Sequence, residues 1–340
     1  WRMEAPMTSA DDDFAAAIGL RTADPDEPGI IRRRQGRGFS FRWPDGSVVK
    51  GAHRERCEEL VLPPAWSDVW VCRRADGHLQ AMGTDDAGRR QYRYHDRWTE
   101  ARAAANFDRL LEVGESLAGV RRAVADDLDA DDRCTRALAT MVRLLDTSLE
   151  RIGNPDSVEL HGSRGISTLA PSNIDVSRQS VRLSFTGKGG VEHDVTIVDR
   201  DLAAAIADLE ADAEEWLFEV DGTVIDAVDA NAYLDEHSAG CLDCKDLRTW
   251  GGSAAALTAR AEGAAKEPEI ADAAAAVLHN TRTVARDSYV HPAVFDAEDD
   301  QVAEVWSASR RSKWYGRGER ALLNLLERCP PLLKGYTTAR

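Results

Sequence analysis

Residues 88–110 read GRRQYRYHDRWTEARAAANFDRL, and the repeat of the chain changes inside them. Over 88–95 tyrosines alternate with arginines, so a period of two sets Tyr92 and Tyr94 on one face of a strand and Arg93 on the other. From residue 99 onward apolar positions recur every three or four residues, the helical repeat. A chain that stops reading as strand and starts reading as helix at one point implies an α+β molecule: a small strand-rich N-terminal domain and a larger, mainly α-helical one. At 340 residues two domains are the natural division, with ample length for a core.

Upstream, FSFRWPDGSVVK at 39–50 places a Pro-Asp-Gly turn between two apolar runs, and DVWVCRRADGHLQAMGT at 68–84 does the same around Ala75-Asp76-Gly77. Before them, residues 1–37 read as a flexible arm, acidic at first and then basic through Arg32, Arg33, Arg34 and Arg37. The expected domains are therefore the arm at 1–37, the β-rich domain at 38–98 and the helical domain at 99–340.

The net charge of -16 argues at first sight against nucleic acid, but the acid is concentrated. Residues 201–240 hold twelve carboxylates and no lysine or arginine, and look like a solvent face or a surface for a partner. Residues 305–340 hold eight basic side chains against two acidic ones. The sign of one face, not the total, governs duplex binding. The first thirty residues are acidic and lack the basic start of a secretory signal, and no apolar run approaches the roughly 18 residues of a membrane span. The expectation is a cytoplasmic protein with no membrane association. The cysteines read as reduced, mostly buried thiols; Cys241 and Cys244 form a single CxxC, short of the four ligands of a structural zinc site.

Downstream, ALATMVRLLDTSLERIG at 137–153 reads as a helix stopped by Gly153, with Arg151 in its last turn. VRLSFTGKGGVEHDVTI at 181–197 reads as a hairpin with Lys188 on its glycine-rich turn. A turn lysine is usually solvated, yet flanking glycines let a backbone approach a ligand closely. CLDCKDLRTWGG begins a helix near Asp243 and sets Lys245 and Arg248 on one side of its first turns. An alanine-rich helix at 268–279 leads into Asn280, and a short helix then carries Tyr289.

There is no GxxxxGK[ST] phosphate loop, and the eight histidines are dispersed along the chain without a metal-ligand pattern. Phosphodiester chemistry without those devices needs cations on the non-bridging oxygens, a neutral donor, an acid for the leaving oxygen and a nucleophile. Arg151, Lys188, Arg248, Asn280 and Tyr289 supply those types.

In combination these motifs resemble the small type IB DNA topoisomerases of the poxvirus and bacterial kind. LERIG at 149–153, GISTL at 165–169, FTGKGGVEH at 185–193, KDLRTWG at 245–251 and NTRTVARDSY at 280–289 stand in the family's order, over about residues 38–295. The resemblance implies a DNA clamp and a monomer closing on double-stranded DNA at the nucleoid, with no cofactor and no metal. It implies relaxation of supercoils through a 3′-phosphotyrosyl intermediate. Tyr289 is then the nucleophile, Arg151, Arg248 and Asn280 stabilise the transition state, Lys188 is the general acid, and Lys245 and His279 support them. GRRQYRYH matches the family's DNA-contacting motif, which assigns Arg89, Arg90, Gln91, Tyr92 and Tyr94 to the duplex. Poxvirus-type members carry histidine in place of Asn280, and here His279 stands one residue earlier; residues 154–157, NPDS, replace a basic or aromatic contact. The alternatives are a site-specific tyrosine recombinase or integrase, whose H-x-x-R is here Lys245-x-x-Arg248, and a non-catalytic DNA-binding protein.

Overall fold

The computed structural model describes residues 9–211, 213 and 215–337. They form two compact units, one of described residues up to Asp108 together with those from Pro331 onward, the other Arg109–Pro330.

The first unit contains α1 (Ser9–Ala17), β1 (Ile30–Gln35), β2 (Gly38–Arg42), α2 (Ala52–Glu59), β3 (Ser67–Val71), β4 (Leu79–Thr84), β5 (Arg90–Tyr94) and α3 (Asp96–Asp108). Its antiparallel sheet has the order β2-β1-β3-β4-β5, so β5 is an edge. Ile30, Phe41, Val49, Cys57, Val69, Val71 and Ala81 fill one small core. The alternation expected over 88–95 is present: the Tyr92 and Tyr94 rings stack on one face, 6.2 Å apart.

Three features of this unit were not legible in the sequence. The supposed arm is structured wherever it is described: Ala15 and Ile18 bury against Trp98 and Ala101, and Ile30 anchors β1. Composition registers the charges of this segment but not the few apolar side chains that dock it. Arg32, read as part of a basic surface run, is buried and donates to the carbonyls of Leu62, Pro63 and Trp66. The boundary falls at 108/109 rather than 98/99, because α3 packs its Trp98 face into the first unit. The C-terminal segment also belongs there, since Leu333 and Tyr336 cover that same cluster.

The second unit contains α4 (Leu110–Asp127), α5 (Arg133–Ser148), α6 (Pro155–His161), β6 (Ile174–Val176), β7 (Ser180–Thr186), β8 (Glu192–Val198), α7 (Arg200–Glu210), β9 (Glu219–Val220), β10 (Thr223–Val224), α8 (Ala227–Ser238), α9 (Cys244–Ala261), α10 (Glu267–Leu278), α11 (Arg282–Tyr289), α12 (Ala293–Asp296), α13 (Asp299–Ala308) and α14 (Arg317–Leu326). The expected hairpin is β7–β8, to which β6 adds a third strand. Most of the other helices are arranged around α9, which touches α4, α5, α8, α10, α11, α12, α13 and α14. Its Trp250 is 1% exposed, lies against Gly114, where a Cβ would collide with the ring, and donates from Nε1 to Glu319 at 2.7 Å. The acidic helices α7 and α8 bury Leu202, Ile206, Leu209, Ala230, Tyr233 and Leu234 and turn most of their carboxylates outward. Among the described residues no helix is long and apolar enough to cross a membrane.

Candidate active site

Arg151 is not in a helix. α5 ends at Ser148, and Leu149 takes the left-handed conformation with φ 55°. Ser148 Oγ donates back to Leu144 O at 2.6 Å and accepts from the Glu150 N–H, which closes the helix early. The loop that follows lies against the GISTL turn: the Ile166 N–H donates to Arg151 O at 2.9 Å and the Ser167 N–H to Ile152 O at 2.6 Å. A Cβ on Gly165 would stand 2.5 Å from Arg151 O, so glycine permits this contact. The two motifs, separate in sequence, form one rigid corner that presents the guanidinium.

Arg248 lies in the second turn of α9, whose start is set by the Asp243 cap and its reciprocal bonds with Asp246. The side chain is 3% exposed. It donates to the carbonyls of Leu149 and Leu278, the latter at 3.1 Å. Burial lowers its pKa, Tyr289 opposes that shift and Arg151 adds to it. Arginine nonetheless remains charged in proteins. Tyr289 closes α11, with its ring centroid 5.0 Å from the Arg248 guanidinium carbon. Its carbonyl accepts from Ser253 Oγ at 3.1 Å. A Cβ on Gly252 would stand 3.2 Å from that same oxygen, so α9 and the end of α11 meet closely.

His279 caps α10 in the left-handed region, φ 50°, and so directs Asn280 away from the helix. Asn280 Oδ1 accepts from Arg151. The structure thus joins Arg151 to Asn280 and Arg248 to Tyr289. The bonds of Arg248 to the carbonyls of Leu149 and Leu278 tie the two pairs together. Two donors at this centre, Arg248 Nε and Asn280 Nδ2, are buried without a hydrogen-bond partner among the described residues. A buried unpaired donor costs about 1–3 kcal/mol, so two of them beside a tyrosine mark a place built for an acceptor such as a phosphate oxygen.

Lys188 is exposed on the β7–β8 turn, as expected, and Lys245 is exposed on the first turn of α9. Neither side chain makes a hydrogen bond or ion pair among the described residues, so no contact draws them to the four-residue centre. The β5 residues lie in the first unit. Arg89 and Gln91 both bond Asp85, at 3.0 and 2.9 Å. Tyr92 and Tyr94 pack partly on Ala23, Trp70, Cys72 and Leu79. Arg90 points to solvent. The NPDS segment opens α6, with Asn154 capping it. Arg282 pairs with Asp272, and Arg286 with Glu267 and Asp287. Burial, with Asp243 adding to it, pushes the Cys244 thiol up to about 12.

Sequence reading missed Glu150 and His193. The histidines looked dispersed, yet the fold gathers His193, His279 and Glu150, with ligating atoms within 4.8 Å of one another. His193 Nδ1 donates to Glu150 Oε1 at 2.7 Å, and His279 Nε2 lies 3.5 Å from the same oxygen. A signal was available: His193 has the same strand parity as the inward Val195 and Ile197, and a buried imidazole needs a partner. The donor set is one that metals use. Arg151 and Arg248 make the surroundings positive, however, and help burial and His193 lower the His279 pKa against the pull of Glu150. In this structure the trio is a carboxylate hydrogen-bonded to His193 and 3.5 Å from His279.

Comparison with known proteins identifies the family. Residues 38–85 match the family described as bacterial DNA topoisomerase IB, N-terminal domain, and residues 96–316 match eukaryotic DNA topoisomerase I, catalytic core. The DNA topoisomerase 1B of Acanthamoeba polyphaga mimivirus is 28% identical over 239 residues, covering 66% of this chain and 70% of that protein. With a catalytic-core match across most of its length and an arginine–tyrosine centre inside that match, the chain belongs to the type IB DNA topoisomerases.

Proposed function

We propose that this topoisomerase relaxes supercoiled duplex DNA by cutting one strand and resealing it through a 3′-phosphotyrosyl intermediate at Tyr289, without ATP or metal. The observation that carries the reading is the Arg248 guanidinium under the Tyr289 ring, bonded to the carbonyls of Leu149 and Leu278 that flank the Arg151–Asn280 pair.

In the proposed step the Tyr289 hydroxyl gives up its proton to solvent and its oxygen attacks the scissile phosphorus as the bond to the 5′-oxygen breaks. Charge builds on the non-bridging oxygens, where Arg151, Arg248 and the free N–H groups of Asn280 can donate. Donors placed in advance at such a point are each worth about 10²–10³ in rate. The departing 5′-oxygen takes a proton from Lys188, which stands on a turn free to approach DNA, while Lys245 supports the phosphate beside Arg248. Lysine, with a reference pKa near 10.4, suits an alkoxide leaving group. Resealing reverses each transfer. The bond energy is held in the ester throughout, so the cycle needs no ATP. His279 is assigned support through Glu150. The β5 residues Arg89, Arg90, Gln91, Tyr92 and Tyr94 are assigned to the duplex, which the enzyme engages as a monomeric clamp at the cytoplasmic nucleoid.

The test is plasmid relaxation in EDTA without ATP, paired with trapping of DNA on the protein by detergent. Wild type should relax the plasmid and yield an adduct. Tyr289→Phe should do neither while binding duplex within about threefold of wild type, because only the nucleophile is lost. Relaxation that required paired recombination sites would instead favour a recombinase, and a wild type that forms no adduct ends the phosphotyrosyl reading.

A further inference from the structure

Glu150 is 1% exposed, and among the described residues no lysine or arginine forms an ion pair with it. Its neighbours are two imidazoles from distant parts of the chain. His193 comes from β8, the return strand of the hairpin that carries Lys188; His279 caps α10 immediately before Asn280. Glu150 itself immediately precedes Arg151. One carboxylate therefore touches three segments, and each presents a residue of the proposed chemistry within a few positions of the contact.

His193 is held firmly enough to transmit that contact. Its ring stacks on Phe185, its cross-strand partner in the β7–β8 register, with centroids 4.8 Å apart and planes 7° from parallel. On another side it meets Gly187, where any Cβ would collide with the imidazole Nε2. Gly187 directly precedes Lys188. The Glu150–His193 bond thus fastens the base of the lysine turn to the corner that bears Arg151. His279 approaches the carboxylate from the other side, with its ring centroid 5.1 Å from that of His193.

A buried ionised carboxylate is costly unless it is hydrogen-bonded or offset by positive charge. Here both conditions hold, because the two imidazoles reach it while Arg151 and Arg248 supply positive potential. The carboxylate is thus held by His193 and approached by His279 before any phosphate arrives.

We propose that Glu150 is a positioning residue for strand cleavage, setting Arg151, Asn280 and the Lys188 turn in register through its hydrogen bond to His193 and its close contact with His279. It touches no substrate. It acts by fixing three groups whose relative placement decides the rate, and a displacement of about 1 Å in such a centre can cost on the order of 10²-fold. The inference rests on the proposed roles of Arg151, Asn280 and Lys188.

Single-turnover cleavage of a duplex oligonucleotide by the full chain tests it, alongside duplex affinity and a thermal melt. Glu150→Gln keeps the shape and loses the charge; His193→Leu removes the donor; His193→Asn keeps a donor close to the position of Nδ1. The expected result is cleavage slowed by about 10–100-fold in Glu150→Gln and His193→Leu with affinity within about threefold, and a clear recovery in His193→Asn. A second substrate carries sulfur in place of the bridging 5′-oxygen, and its thiolate leaves without needing a proton. On that substrate the His193→Leu defect should shrink, because part of it arises from misplacing Lys188. Wild-type rates in both Glu150→Gln and His193→Leu overturn the proposal, as does a loss of cleavage that only follows lost affinity or lost folding. A wild type that makes no covalent adduct would instead defeat the phosphotyrosyl reading, so the two failures are distinguishable.

Discussion

Arg248 holds a charge almost wholly out of water, and its environment explains why a lysine is a poor substitute. The guanidinium divides its donors between two carbonyls and still lies under an aromatic ring, which its planar fork allows and a compact ammonium does not. Arg248→Ala should slow single-turnover cleavage by about 10²–10³. It should also strand the Leu149 and Leu278 carbonyls, at about 1–3 kcal/mol of stability. Arg248→Lys retains a charge near the phosphate but should recover less than about tenfold of the lost rate. A lysine variant that cleaved like wild type would show that the fork is dispensable. Arg248 was legible in the sequence, because KDLRTWG follows a capping aspartate and the helical repeat then places it. Glu150 was not, since its partners lie 43 and more residues away and nothing local distinguishes a buried glutamate from a solvated one.

At the level of elements, the four-residue centre is assembled from ends: the left-handed exits of α5 and α10, the second turn of α9 and the last residue of α11. Sequence reading located these ends to within a few residues and erred where the fold overrides local signals. It carried α5 on to Gly153, yet the helix stops at Ser148 because Glu150 is drawn into the core toward His193. The start of α9 carries a pH dependence that follows from burial. Asp246 is pushed up to about 6, chiefly by desolvation and then by Asp243, while its backbone bond, Arg109 and Lys245 oppose the shift. Its folded pKa lies above its ordinary value, so its stabilising contribution is complete below about pH 4 and is lost as pH rises through about 6. Asp246→Asn should therefore gain on wild type between pH 4.5 and 7.5, by up to roughly 3 kcal/mol. Melting midpoints of both proteins across that range provide the check, and parallel profiles would contradict the assignment.

For the molecule as a whole, the most instructive finding is that the C-terminal segment folds with the N-terminal unit. The Asp108 carboxylate accepts from the Leu332 and Leu333 N–H groups at 2.6 and 2.9 Å, and Arg97 donates to Tyr336 O at 2.7 Å. Leu333 and Tyr336 cover the Trp98 cluster. A chain ended at Pro330 should lose roughly 2–4 kcal/mol from the first unit, given two half-buried side chains and their bonds. Amide exchange would locate the loss: protection should fall in α1 and α3 and stay unchanged in α9. Equal loss in both units would contradict the division. The charge distribution shows the same limit of composition. The basic run at 32–34 looked like surface, but Arg32 is spent inside the first unit holding three carbonyls.

By itself the sequence determined the order of strand-rich and helical parts, the hairpin, the helix starts and the four residues that meet at the centre. Periodicity and capping are local properties, and the motifs are short. Only the tertiary structure decided that α5 ends before Arg151, that the C-terminal segment docks on α3, and that Glu150 gathers His193 and His279. Each of these depends on which distant side chains share a buried volume. The free energy of pairing a buried carboxylate or covering a tryptophan comes from contacts across the fold, and no window of sequence contains both partners.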